Sequence, residues 1–296
     1  MRASVEHPPP LGAGARARLC RMDSSFYRLL DESESGSSSL TARVHSSAHT
    51  TGPWAPGQQH AGPPSALLTR AVRRLGGLPD RALPARLTFD ILGPVPVAEL
   101  VLTARVLRPG RRIALAEATL ATADRPEQPV MTARAWLLRQ LEHPIADLPP
   151  TPASPAPQWH EDAEPMTRPA GWHAGYLDAV QWRWVAGSFE APGPASVWTH
   201  LTVGLVEGEQ PDPIERLVAV ADSASGISAV ASPAQLLFVN TDLTLHLTRE
   251  PVGQEIWLSA ATTMDPAGIG RTVGELGDRQ GGVARSAQSL FVDVRD

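Results

Sequence analysis

The stretch Glu215–Ile227, ERLVAVADSASGI, decides how the second half of this chain folds. Leu217, Val218, Val220, Ala221, Ala224 and Ile227 put apolar groups around most of a helix's circumference. A helix apolar nearly all round is a buried one. The sequence therefore predicts a central helix from about 212 to 228, wrapped by the segments around it. Asp222 sits in the middle of that apolar surface. A carboxylate is costly to take out of water unless it is paired or hydrogen-bonded. Asp222 is thus either a buried structural hydrogen-bonding group or the centre of a site.

On the far side of this helix the apolar period changes to two. Phe238–Thr248, Glu255–Met264, Ile269–Leu276 and Gly282–Val294 read as strands. On the near side, Ala179–Phe189 is strand-like, with Val180, Trp182 and Trp184 on one face, and Ala195–Val203 is a further extended piece. The first half has the same order. Leu40, Ala42 and Val44 alternate as a short strand. A helix over Pro64–Leu75 carries one apolar stripe, Leu67, Leu68, Ala71, Val72 and Leu75, and proline suits its first turn. Arg86–Ile91, Ala98–Leu107, Arg112–Ala121 and Val130–Arg139 then form a meander. Leu87-Thr88-Phe89 matches Leu243-Thr244-Leu245 at an offset of 156, and Val130–Leu137 lies over Val283–Leu290 at an offset of 153. Two copies of one unit should pack as a pseudo-dimer.

The halves expected are 22–141 and 172–296. Between them, 142–171 is a linker stiffened by Pro144, Pro149, Pro150, Pro152, Pro155 and Pro157. Residues 1–21, rich in Pro, Gly, Ala and Arg, are expected to form a disordered extension, with Met22 as a plausible start. The net charge of −5 gives no basic footprint for nucleic acid. The single cysteine, Cys20, rules out an intrachain disulfide and fits a reducing cytoplasm. No apolar run reaches the roughly 20 residues of a membrane span. No Gly-x-Ser-x-Gly elbow, zinc-ligand cluster or dinucleotide motif is present, so no metal or cofactor is expected.

Six motifs carry a resemblance: Gly52-Pro53-Trp54, His60-Ala61-Gly62-Pro63-Pro64, Leu92-Gly93-Pro94-Val95-Pro96, Arg108-Pro109-Gly110-Arg111, Ala221–Gly226 and Gln288-Ser289-Leu290-Phe291. In their order and spacing the chain resembles the double-hotdog acyl-CoA thioesterases, specifically the actinobacterial thioesterase-like proteins related to bacterial acyl-CoA thioesterase II. The resemblance runs from about Ser25 to Val294. It implies an α+β double hotdog, each unit a helix wrapped by an antiparallel sheet, with chains associating through the sheets. It implies hydrolysis of an acyl-CoA in fatty-acid metabolism by a water held between an Asp, a Thr or Ser, and a Gln. These roles fall on Asp222, Asn240 and Gln288. Asn240 is a departure, because an amide cannot relay a proton as a hydroxyl can. Thr241 could substitute if the strand bulges. The resemblance also places a His-Gly-Gly-like segment at His60 and Gly62, where backbone N–H groups at a helix start suit an oxyanion or phosphate.

Each of these residues also has a plain structural reading: an edge amide for Gln288, a strand-entry turn for Asn240, a packed loop histidine for His60. The repeat favours a site, since the same offsets put Ala66, Pro84 and Ala135 at the equivalent places in the first half. Polar groups demanded by the fold itself would occur twice. Arg70, Arg73, Arg74, Arg108, Arg111 and Arg112 are candidates for coenzyme A phosphates, with a solvated face as the default. Two alternatives to hydrolysis stand. One is a non-catalytic acyl-CoA-binding protein. The other, a hotdog hydratase, needs an Asp/His pair whose usual motif spacing is absent.

Overall fold

The computed structural model describes residues 24–294, apart from 35, 37, 144, 147, 149–151, 160–165, 167, 170, 233 and 234. The extension expected at 1–21, and Met22, lie outside the described residues.

The first half contributes β1 (Ser25–Glu34), β2 (Ser39–Ser46), α1 (Gly62–Arg74), β3 (Ala82–Ile91), β4 (Glu99–Arg108), β5 (Ile113–Thr122) and β6 (Pro129–Arg139). The second contributes β7 (Val180–Ala186), β8 (Ala195–Leu201), β9 (Gly204–Val206), α2 (Pro213–Ala221), α3 (Ala224–Ile227), β10 (Leu236–Asn240), β11 (Asp242–Leu247), β12 (Glu255–Asp265), β13 (Ile269–Asp278) and β14 (Gly281–Val294). No helix among the described residues is long and apolar enough to cross a membrane. Between 142 and 171 the described residues form neither helix nor strand.

One continuous sheet runs β7-β8-β12-β13-β14-β11-β3-β6-β5-β4-β2-β1-β9. Apart from the terminal β9, which has no counterpart, its order is symmetric about the β11–β3 pair, with five strands beyond each of the two. At that seam Thr88 pairs with Thr244, and Leu87 and Phe89 pair with Leu245 and Leu243. These are the segments that repeat at an offset of 156, so each meets its sequence counterpart in antiparallel register.

Both helices are enclosed by the sheet and pack on each other. From Gly62 to Val72 every residue of α1 is buried. Its polar members are satisfied locally: the Ser65 hydroxyl donates to Ala61 O at 2.7 Å and the Thr69 hydroxyl to Ser65 O at 2.8 Å. α2 starts with a capping box, Asp212 accepting from Ile214 N–H while Glu215 accepts from Asp212 N–H.

The arginines of α1 depart from expectation. Arg70 is 2% exposed. It donates to both Glu209 oxygens at 2.8 and 2.7 Å and to Glu32 at 2.9 Å. Arg73 pairs with Asp212 and Glu250, and Arg74 with Glu32 and Glu209. These side chains tie the first half to the second rather than forming a solvated face open to phosphates. The acids they meet come from distant segments, so no helix-face pattern could reveal them.

Two further expectations change. The single helix over 212–228 is broken at Asp222, and the strand over 238–248 is broken at Thr241. Both breaks lie at the candidate site.

Candidate active site

The helix break has an identifiable cause. In an uninterrupted helix the Ala219 carbonyl would accept from Ser223 N–H. Here the Tyr176 hydroxyl donates to Ala219 O at 2.9 Å, and Ser223 N–H turns to Val220 O at 3.1 Å. Tyr176 also shares a hydrogen bond with the Ser223 hydroxyl at 2.8 Å. The chain leaves the α2 ladder at Asp222, which lies at the helix end rather than its middle. Its carboxylate, 6% exposed, meets the wall of a cavity of about 480 Å³.

The strand break is a bulge. Asn240 pairs with Leu290 while Thr244 pairs with Ala287, so the β10–β11 side holds one residue more than β14. The bulge turns Asn240, not Thr241, toward the helix. Asn240 Nδ2 donates to Asp222 Oδ1 at 2.7 Å. Thr241 also lines the cavity, but its hydroxyl lies 3.5 Å from Asp242 Oδ1 rather than on Asp222. Asp242 accepts from Ser289 N–H at 2.9 Å, and His246 is solvated.

Gln288, on β14, is 1% exposed. Its Nε2 lies 3.3 Å from both Asp222 Oδ1 and Asp222 O. Its Oε1 is buried with no partner among the described residues. Asp222 and Asn240 line the cavity, whereas Gln288 stands behind Asp222, off the cavity wall. The three residues singled out from sequence are thus brought together around one carboxylate. In the first half the equivalent places hold Ala66, Pro84 and Ala135, all buried.

His60 joins them from the other half. Its Nδ1 lies 3.2 Å from Asp222 Oδ2 and accepts from Gly62 N–H at 3.1 Å. The ring stacks on Tyr176, centroids 3.8 Å apart and planes 10° from parallel. Burial pushes the imidazole pKa down, against a smaller upward pull from Asp222. The Asp/His pair that no sequence motif announced is therefore present in space. The loop before α1 is pinned on both sides: His60 N–H donates to Thr50 O at 2.8 Å, Gln59 N–H to Val95 O at 2.8 Å, and Tyr176 N–H to Thr51 O at 2.9 Å.

Gly62 has a different task from the one expected. It does not line the cavity. A Cβ built on it would lie 2.1 Å from Ala219 O, so it is the point where α1 touches the α2 backbone. Gly62→Ala must push α2 away and is expected to destabilise by about 1–3 kcal/mol, as overpacking does. The urea midpoint of the purified variant checks this. An unchanged midpoint would show that the helices separate without cost.

Sequence reasoning missed Tyr176, Ser223 and the aromatic wall of the cavity. Trp54 and Trp172 have centroids 4.9 Å apart, Trp54 and Phe238 6.0 Å, and Trp172 and Phe189 5.5 Å. They come from four separate segments, so no window of sequence shows that they meet. Among the described residues no group of three or more His, Cys, Asp or Glu could hold a metal.

The family model described as Acyl-CoA thioesterase N-terminal domain matches residues 50–138, and that described as Acyl-CoA thioesterase C-terminal domain matches residues 160–292. No curated protein matches the sequence. Among solved structures, a conserved protein of unknown function with hot dog fold from Alicyclobacillus acidocaldarius is similar, with TM-score 0.66 and 18% identity over 90% of this chain and 97% of that one. A putative thioesterase II from Thermobifida fusca YX gives TM-score 0.65 and 17% identity over 92% and 97%. The acyl-CoA thioesterase II TesB2 from Mycobacterium marinum gives 0.56 and 14% over 90% and 96%. At such identities the likeness establishes the hotdog fold, while the family rests on the two matched domains, which together span most of the sequence. With both domains matched in order, one in each half, this chain belongs to the acyl-CoA thioesterase family.

Proposed function

We propose that the chain is a double hotdog, units 22–141 and 172–296 joined by a strap at 142–171, that hydrolyses an acyl-CoA by direct attack of water. The observation that carries this reading is the placement of Asp222: a buried carboxylate on a cavity wall, with Oδ1 held by two amide donors. With Oδ1 occupied, Oδ2 is the atom that takes a proton. A water beside Oδ2 gives its proton to Asp222 as its oxygen bonds to the thioester carbon. The tetrahedral intermediate then breaks its C–S bond, and Asp222 returns the proton to the departing sulfur. The products are a carboxylic acid and free coenzyme A, and no bond to the protein forms.

In this reading Asn240 and Gln288 serve as donors that hold the carboxylate. A hydroxyl is not required for that task, so the departure at Asn240 is compatible with turnover. Gln288→Ala removes the donor behind Asp222 and frees the carboxylate to rotate. A misplacement of about 1 Å costs on the order of 10²-fold in rate, so kcat should fall by about that factor while KM changes little. Steady-state kinetics of the purified variant check it.

The amide at Asn240, where the resemblance implies a hydroxyl, is the one feature that favours a second reading, a non-catalytic acyl-CoA binder. A panel of acyl-CoAs assayed for free thiol separates the two. Release of thiol from any member supports hydrolysis. Binding throughout with no release from any member would leave the binder.

A further inference from the structure

Gly226 lines the cavity, yet nothing in the backbone calls for a glycine there. Its φ lies outside the left-handed region, so any residue can adopt its conformation. A Cβ built on it would meet no atom within 4 Å, so no other segment crowds it as Ala219 crowds Gly62. It sits within α3, where glycine is the least favourable residue after proline. What the missing side chain leaves is room, and the room belongs to the cavity.

The path of the chain shows where that room lies. Asp222 and Ser223 keep right-handed dihedrals, φ −64° ψ −19° and φ −72° ψ −6°. Gly226 therefore stands about one helical turn, roughly 5–6 Å, beyond Asp222. α3 leads away from the carboxylate and β10 leads back to it, because Asn240 at the end of β10 bonds Asp222. Gly193 N–H donates to Ala229 O at 2.8 Å, which holds the loop that follows Phe189 against the end of α3. The walls at this end are largely apolar: Leu236, Phe238 and Phe189, with Trp54 and Trp172 against the two phenylalanines. They suit an acyl group better than the pantetheine arm, whose amides need polar partners.

We propose that the acyl group taken here carries an aromatic ring about one helical turn from the thioester carbonyl, and that Gly226 determines this specificity by leaving room for the ring's width. The inference rests on the hydrolytic reading above. A linear chain needs no such width, and in a space that broad its carbons lose contacts on one side. A planar ring fills the space. The wall rings meet one another at interplanar angles of 49–71° rather than stacked. A further ring among them finds edge-to-face contacts, each worth about 2–10-fold in affinity.

Phenylacetyl-CoA and hexanoyl-CoA test this, because their acyl groups reach equally far and differ in width. Wild type should show a kcat/KM for phenylacetyl-CoA about 2–10-fold above that for hexanoyl-CoA. Gly226→Ala adds one methyl group and should lower that ratio. Gly226→Leu fills the space and should lower it by about tenfold or more, as overpacking does. Both substitutions suit a helix better than glycine, and thermal melting establishes that each variant is folded. The thioethers S-(2-phenylethyl)-CoA and S-hexyl-CoA give the same comparison as dissociation constants, without turnover. A wild type that prefers hexanoyl-CoA overturns the proposal whether or not any variant folds. So does a folded Gly226→Leu that lowers both substrates equally. Absence of thiol release by wild type on every acyl-CoA is a separate result, and it removes the hydrolytic reading instead. In that case tighter binding of the phenylethyl thioether still supports a ring pocket, and tighter binding of the hexyl thioether overturns it.

Discussion

Asp222→Asn is expected to lower kcat by about 10²–10⁴ on whichever acyl-CoA the wild type hydrolyses, the usual worth of a general base. The fold should survive for a specific reason. Asn240 and Gln288 both point amide N–H groups at Oδ1. An asparagine at 222 satisfies them by turning its own carbonyl oxygen to that position. Its amide nitrogen then takes the place of Oδ2, where it has no lone pair for a proton. Acyl-CoA affinity, measured by calorimetry, should stay near wild type, while thiol release collapses. Undiminished release would remove Asp222 from the chemistry.

Arg70→Ala should have the largest effect on stability, about 3–5 kcal/mol, the cost of removing one partner from a buried ion pair. The guanidinium is enclosed and meets Glu32 from β1 and Glu209 from the segment before α2. Its loss leaves two carboxylates facing each other, with Arg74 as a partial substitute. The effect has a pH signature. The hydrogen bond from Arg70 holds the Glu209 pKa below its ordinary value, against burial, which raises it. A carboxylate with a depressed folded pKa contributes stability above its unfolded pKa, near 4.3, and that contribution is lost as pH falls through the folded value. The gap in urea midpoint between wild type and variant should therefore be full at neutral pH and narrow below about pH 4. A gap independent of pH would mean that packing of the arginine stem, not the ion pair, is what matters.

What the sequence made legible is what repeats locally. The stripe on α1 and the alternation of β3–β6 and β12–β14 are short-range signals, the 156-residue offset shows that they recur, and the strands fall within a few residues of expectation. β1 escaped because Leu29-Leu30-Asp31-Glu32-Ser33-Glu34 does not alternate; it contains a bulge between Leu29 and Asp31. β9 escaped because three residues carry no period. The breaks at Asp222 and Thr241 were invisible for a stronger reason. A hydroxyl 43 residues upstream interrupts the helix. The register of β14 against two strands at once imposes the bulge. Asp222, Asn240 and Gln288 could be singled out as candidates, but their distances, and the arrival of His60 from the other half, depend on tertiary contacts that no window of sequence contains. Gly62 lies off the cavity wall against the α2 backbone, and glycine before a helix reads the same whether a ligand or another backbone approaches it.

The strands that meet at Thr88 and Thr244 repeat in sequence, yet the place equivalent to Asp222 at the same offset holds Ala66. The consequence is stoichiometric. With Ala66 at the place that the offset makes equivalent to Asp222, the proposed hydrolysis predicts that each polypeptide processes one thioester at a time. Saturation within a single chain must then follow a simple hyperbola, whatever the symmetry of its sheet. Any sigmoidal dependence on substrate concentration would have to originate between separate polypeptides.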